Sequence, residues 1–150
     1  MTRWNRQRVF AVTAVAVAAV LGVGLLVSLT AHHEAAHATA STVFTVNVRT
    51  SGGQGDLNAC NGAVDVTGIY HVRTIAEHDR CGGNAFPKSP GSIVHLTGVD
   101  AGTYRVDGII AHLDGLKNTS ADIPRGYDVV FQTCNTGYTD MTFTGLTRTN

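Results

Sequence analysis

From Thr42 onward the chain never holds an apolar pattern of helical period long enough for a helix of ordinary length. It offers short runs of β-branched and alternating residues, each closed by Gly, Asn, Asp or Pro. "TVFTVNVRT" (42–50) alternates as a strand does, and "VDVTGIYHVRTIAEH" (64–78) gives a strand with a Gly break. "GSIVHLTG", "GTYRVDGIIAHL", "YDVVFQTC" and "DMTFTGLT" are four more such runs. "SGGQGDLNACNGA" between the first two reads as a Gly-rich loop. Only "AHLDGLKNTSADIP" has room for a helical turn or two, ended by Pro124. Strands this short and this closely spaced predict a mainly β domain, a sandwich or small barrel. No internal repeat and no low-complexity tract interrupts them.

The first part of the chain obeys different rules. Arg3, Arg6 and Arg8 precede "VFAVTAVAVAAVLGVGLLVSLTA" (9–31), 23 residues without a charge. At about 1.5 Å per residue this run is long enough to cross a hydrocarbon core of about 30 Å. The basic head places the N-terminus in the cytoplasm and the rest of the chain outside. Ala36-His37-Ala38 also spells a small-residue cleavage site, so a membrane anchor and a removed signal segment both stand. The expected organisation is a targeting segment over 1–31, a stalk over 32–41 and a folded domain over 42–150. The protein is then single-pass with its domain extracytoplasmic, or secreted if cut after Ala38.

The stalk contains His33-Glu34-Ala35-Ala36-His37, which matches the helical zinc-protease pattern of two His with a Glu general base between them. Such a site needs a packed helix, a third ligand and an open metal position. Here "ATASTVF" follows, and Glu77 is the one remaining glutamate. The string reads as a polar juxtamembrane stalk, and neither a metal nor a cofactor is expected.

From Thr39 the chain has eight Lys and Arg against ten Asp and Glu, so no basic patch points to nucleic acid. Cys60, Cys81 and Cys134 make an odd count for an exported domain, which predicts one pair and one free thiol. Cys60 and Cys81 sit in Gly/Asn-rich loops that can bring them together. Closing that loop would stabilise a domain this small by about 3 kcal/mol. Cys134 is then the odd thiol, at the end of an apolar strand and before the polar loop "NTGYTD".

A thiol does nucleophilic chemistry when a partner helps form the thiolate and donors receive the oxyanion. Past the stalk there are four His: His71, His78, His95 and His112. His71, His95 and His112 lie in strand-like stretches. His78 closes one strand and opens "DRCGGNAFPKSPG", so it faces a rim where loops gather.

In this order the pieces resemble the sortase family of cysteine transpeptidases, in its small actinobacterial form. "IAEHDRCGGNAF" (75–86) is similar to the block around that family's catalytic His. "PGSIVHL" (90–96) and "GTYRVDGI" (102–109) are similar to the two strands that follow, and "VVFQTC" (129–134) to the strand ending in the nucleophile's Thr-Cys. His78 and Cys134 are 134 − 78 = 56 positions apart, a spacing the family shows, and the likeness covers residues 60–147.

The resemblance implies a closed β-barrel of about eight short strands with one short helix or turn. It implies a cysteine transpeptidase or hydrolase in which Cys134 attacks a sorting-signal peptide and holds it as a thioester. His78 would act as acid and base, and an amine acceptor of cell-wall or pilin type would resolve the acyl-enzyme. Glu77 stands where the family usually has Gly, and with Arg80 and Thr133 it is expected at the substrate groove. The family's supporting Arg begins the last strand, and there this chain carries Thr139. Arg148, 14 positions past Cys134, is the expected substitute, with Arg80 as the other candidate. At about 3.3 Å per residue, Arg148 is some 20 Å along its strand from the thiol. The competing expectation is a disulfide-stapled β-domain that keeps the fold and acts as a binding or structural module.

Overall fold

A computed structural model describes residues 43–135, 137 and 139–149. The apolar run, the stalk and the zinc-like string lie outside the described residues. Among the described residues no helix is long and apolar enough to cross a membrane.

Alternation of β-branched residues produces seven strands: β1 (Phe44–Ser51), β2 (Ala63–Asp65), β3 (Thr74–His78), β4 (Ile93–Gly98), β5 (Gly102–Asp114), β6 (Val129–Cys134) and β7 (Asp140–Arg148). They close into a barrel in the order β1-β2-β3-β6-β7-β5-β4, with β4 returning to β1. The count is seven, not about eight. β1 is parallel to both β2 and β4, and β3 is parallel to β6; the other pairs are antiparallel.

The 64–78 run becomes two strands, because Thr67–Tyr70 coils into one helical turn, α2, between them. His71 ends that turn at φ 55°, so it is a left-handed cap and not a strand residue. The Gly-rich loop also holds a short helix, α1 (Gln54–Asn58). Five residues with an internal Gly have little helical tendency of their own. This helix is held by its surroundings: Leu57 is buried, and the Asp56 carboxylate accepts from the Gly53 N–H at 2.9 Å. In the stretch ending at Pro124, β5 runs on through Asp114, and a single 3₁₀ turn covers Ser120–Asp122.

Strand parity divides the side chains into an inner and an outer layer. Inside the barrel Val48, Ile75, Leu96, Tyr104, Val106, Phe131 and Leu146 pack into one core. On the outer face Ala76 packs with Leu57, Val64 and Val66 beneath α1, while Val130 packs with Ile123 and Phe143. That outer layer carries the site.

Cys60 and Cys81 are joined, with their Cα atoms 5.0 Å apart, as their two loops allow. The bond ties the chain just past α1 to the turn just past β3.

Candidate functional site

Parallel pairing of β3 with β6 sets Thr74 opposite Val130 and, four residues on, His78 opposite Cys134. Both strands end there, so His78 and Cys134 leave neighbouring strands about 4.8 Å apart at one rim. No hydrogen bond joins imidazole to thiol: Nε2 is engaged by Asn58 and Gln54, and Sγ by Gln132. Both belong to the outer parity set, with Ala76 and Val130 below them.

His78 is 9% exposed. Its Nε2 lies 2.9 Å from Asn58 Oδ1 and 3.2 Å from Gln54 Nε2, and Gln54 Nε2 donates to the same Asn58 oxygen at 3.1 Å. An amide oxygen can only accept, so the Nε2–H donates to it and the neutral ring carries its lone pair on Nδ1. Nδ1 is buried and has no partner. The ring is thus held by α1, with its basic nitrogen buried and unpaired.

Cys134 is the free cysteine among the described residues. Its Sγ accepts from Gln132 Nε2 at 2.9 Å. Burial, reinforced by the Asp79 carboxylate, pushes the thiol up to about 11. At neutral pH it is an S–H, and forming the thiolate requires a base. Tyr70, from α2, reaches the same group: burial and the Cys134 charge raise its phenol, which therefore keeps its proton.

A cleft of about 460 Å³ opens over these groups. Gln54, Asn58, Tyr70, Gly115 and Leu116 line it together with His78, Gln132 and Cys134. Leu116 is 83% exposed at its lip. A separate hollow of about 230 Å³ near Arg49 and Asn61 is lined by no Cys or His.

The remaining expected site residues divide by parity and by distance. Arg80 lines the cleft. Thr133 does not: it is 4% exposed on the inner face, where its hydroxyl donates to the Gly83 carbonyl at 3.1 Å. Glu77, opposite Thr133 in the register, also turns from the cleft, and its carboxylate packs against Gly82. Burial raises Glu77 above the ordinary carboxylate range.

Arg148 is at the other end of the barrel. Met141 is the β7 partner of Cys134, and Arg148 lies seven residues further on, about 23 Å along the strand. Its guanidinium stacks 4.9 Å from the Tyr104 ring and donates to the Tyr104 hydroxyl at 2.7 Å. Arg148 therefore cannot support chemistry at Cys134. Thr139, at the place of the expected Arg, does line the cleft.

Gln132, Asn58, Gln54 and Tyr70 went unnoticed in the sequence. Gln132 had a signal: two residues before Cys134 on a strand, it shares the thiol's face. The others arrive from helical turns that no periodicity marked.

Comparison with protein-family models, curated proteins and solved structures finds no match to the chain.

Proposed function

We propose that the protein is an exported cysteine transpeptidase or hydrolase of the sortase type. The observation that carries this reading is the register pairing of His78 with Cys134 at the rim beneath the cleft. The thiol proton passes to Nδ1 of His78 as Sγ attacks a peptide carbonyl. The resulting imidazolium protonates the leaving amine, and an amine or water then releases the acyl group from the thioester. The raised thiol makes this a concerted base-assisted attack rather than the work of a resting thiolate. Hydrogen bonds of this kind are often made only once substrate is bound.

The substrate in this reading is a peptide sorting signal on a surface protein, and the acceptor an amine of cell-wall or pilin type. Arg80 is the basic side chain at the groove. The uncharged run over 9–31 supports a membrane location with the domain outside, or secretion if the stalk is cut.

The test is hydroxylamine capture. The full-length protein is incubated with a pool of peptides carrying varied C-terminal sorting sequences, and products are read by mass spectrometry. Hydroxamates formed by the wild type and absent with Cys134→Ala and His78→Ala support the reading. Equal products from the wild type and both variants, or no acyl-enzyme with any peptide, overturn it.

A second reading, a binding module on the same barrel, is favoured by the raised thiol and by the withdrawal of Arg148 from the cleft. It predicts peptide retention without cleavage in the same assay.

A further inference from the structure

A thiol that attacks a carbonyl must place the developing oxyanion against fixed donors, because that charge dominates the barrier. Arg148 is about 23 Å along β7 from the thiol's register position and committed to Tyr104. Arg80 lines the cleft from the turn after β3, on the imidazole's side. Neither is seen against the sulfur. Gln132 is.

Gln132 is wholly buried, at 0% exposure, on the same face of β6 as Cys134. Its Nε2 is 2.9 Å from Sγ, while its Oε1 has no hydrogen-bond partner. A buried amide oxygen left unpaired is destabilising, so the amide is held against that cost with its donor end on the sulfur. The Tyr70 hydroxyl lies against the same amide. A buried amide fixed beside a nucleophile is a dipole already in place where negative charge develops, which is what preorganised stabilisation requires.

We propose that Gln132 is the oxyanion donor of this site, its side-chain N–H replacing the guanidinium absent from the cleft's thiol side. The proposal rests on the nucleophilic role of Cys134. As Sγ bonds to the carbonyl carbon, the C=O π pair moves onto oxygen and the thiol proton goes to His78 Nδ1. The oxygen lies two bonds from a sulfur that the amide already contacts, so an Nε2–H turns to it without rearrangement of the strand. Collapse restores the C=O bond and expels the leaving group, which takes the proton back from His78. The thioester remains on Cys134.

Two reactions of the same thiol separate this role from a structural one. Acylation by p-nitrophenyl acetate passes through an oxyanion; alkylation by iodoacetamide does not. On the full-length protein, Gln132→Ala and the volume-preserving Gln132→Met are expected to slow the nitrophenolate burst about 100-fold. Their alkylation at Cys134 loses only the hydrogen bond to the sulfur and is expected to slow far less, about tenfold at most, with thermal melts reporting that both variants fold. A burst equal to wild type, or equal slowing of both reactions in both variants, overturns the donor assignment alone. A wild-type burst that is absent, or that survives Cys134→Ala, overturns the nucleophile reading and this proposal with it.

Discussion

Asn58 holds His78: its Oδ1 lies 2.9 Å from Nε2, and the bond crosses from a five-residue helix to the last residue of β3. The consequence is chemical as well as structural. With Nε2–H spent on Asn58, the neutral ring presents Nδ1 as its base, and a loop that looked featureless in the sequence sets the tautomer of the site.

Asn58→Ala is therefore expected to lower base-assisted reactivity of Cys134 about tenfold at neutral pH while costing about 1 kcal/mol of stability, the ordinary worth of one hydrogen bond. Alkylation rates alongside urea melts check both halves. Asn58→Asp retains the acceptor and is expected to recover most of the rate.

Folding is expected to weaken in alkali through Cys134. A thiol raised from about 9 to about 11 keeps its proton in the folded state after the unfolded chain has lost it. Below about pH 9 this contribution to stability is complete; it is lost as pH rises through about 11. Melting temperatures of wild type and Cys134→Ala between these limits should converge differently: the wild type falls more steeply. Burial is the first cause of the shift and Asp79 the second, so Asp79→Asn is expected to move the alkylation midpoint down, though not to the free-thiol value.

The two candidate arginines should separate cleanly. Arg148→Ala removes a guanidinium stacked on buried Tyr104 and a hydrogen bond to its hydroxyl, a loss of about 1–2 kcal/mol. It is expected to leave Cys134 alkylation within about twofold. Arg80→Ala, at the cleft, is expected to change peptide turnover with little effect on melting.

Cys60 and Cys81 are 21 positions apart, and on the chain-entropy account their bond is worth about 3 kcal/mol. Replacing both by Ser is expected to lower stability by that order. It also loosens α1 from the turn past β3, so the same variant should show slower base-assisted alkylation. Equilibrium melts and labelling rates measure the two effects separately.

Much of the barrel was legible because β-branched alternation belongs to the local sequence: "TVFTVNVRT" and "VVFQTC" needed no tertiary knowledge. The two short helices were not, because Gln54–Asn58 depends on buried Leu57 and Thr67–Tyr70 on hydrogen bonding to the strand that follows it. Thr74 N–H, for example, donates to Thr67 Oγ1 at 3.1 Å. Strand parity was available and went unused: it places Gln132 with Cys134 and sends Thr133 and Glu77 to the other face. Strand rise alone separates Arg148 from the thiol, seven residues along β7 from the partner of Cys134. The cross-strand meeting of His78 and Cys134 came from a register that no single strand encodes.

The most direct measurement of the His78–Cys134 pairing is the iodoacetamide labelling rate of Cys134 at pH 7.5, compared between wild type and His78→Gln. A thiol titrating near 11 and acting alone has a thiolate fraction of only about 1 in 3,000 at this pH. Wild-type labelling faster than that fraction permits, with a drop of tenfold or more in His78→Gln, is the expected result. Equal rates in the two proteins, both at the level of an unassisted buried thiol, would contradict the pairing.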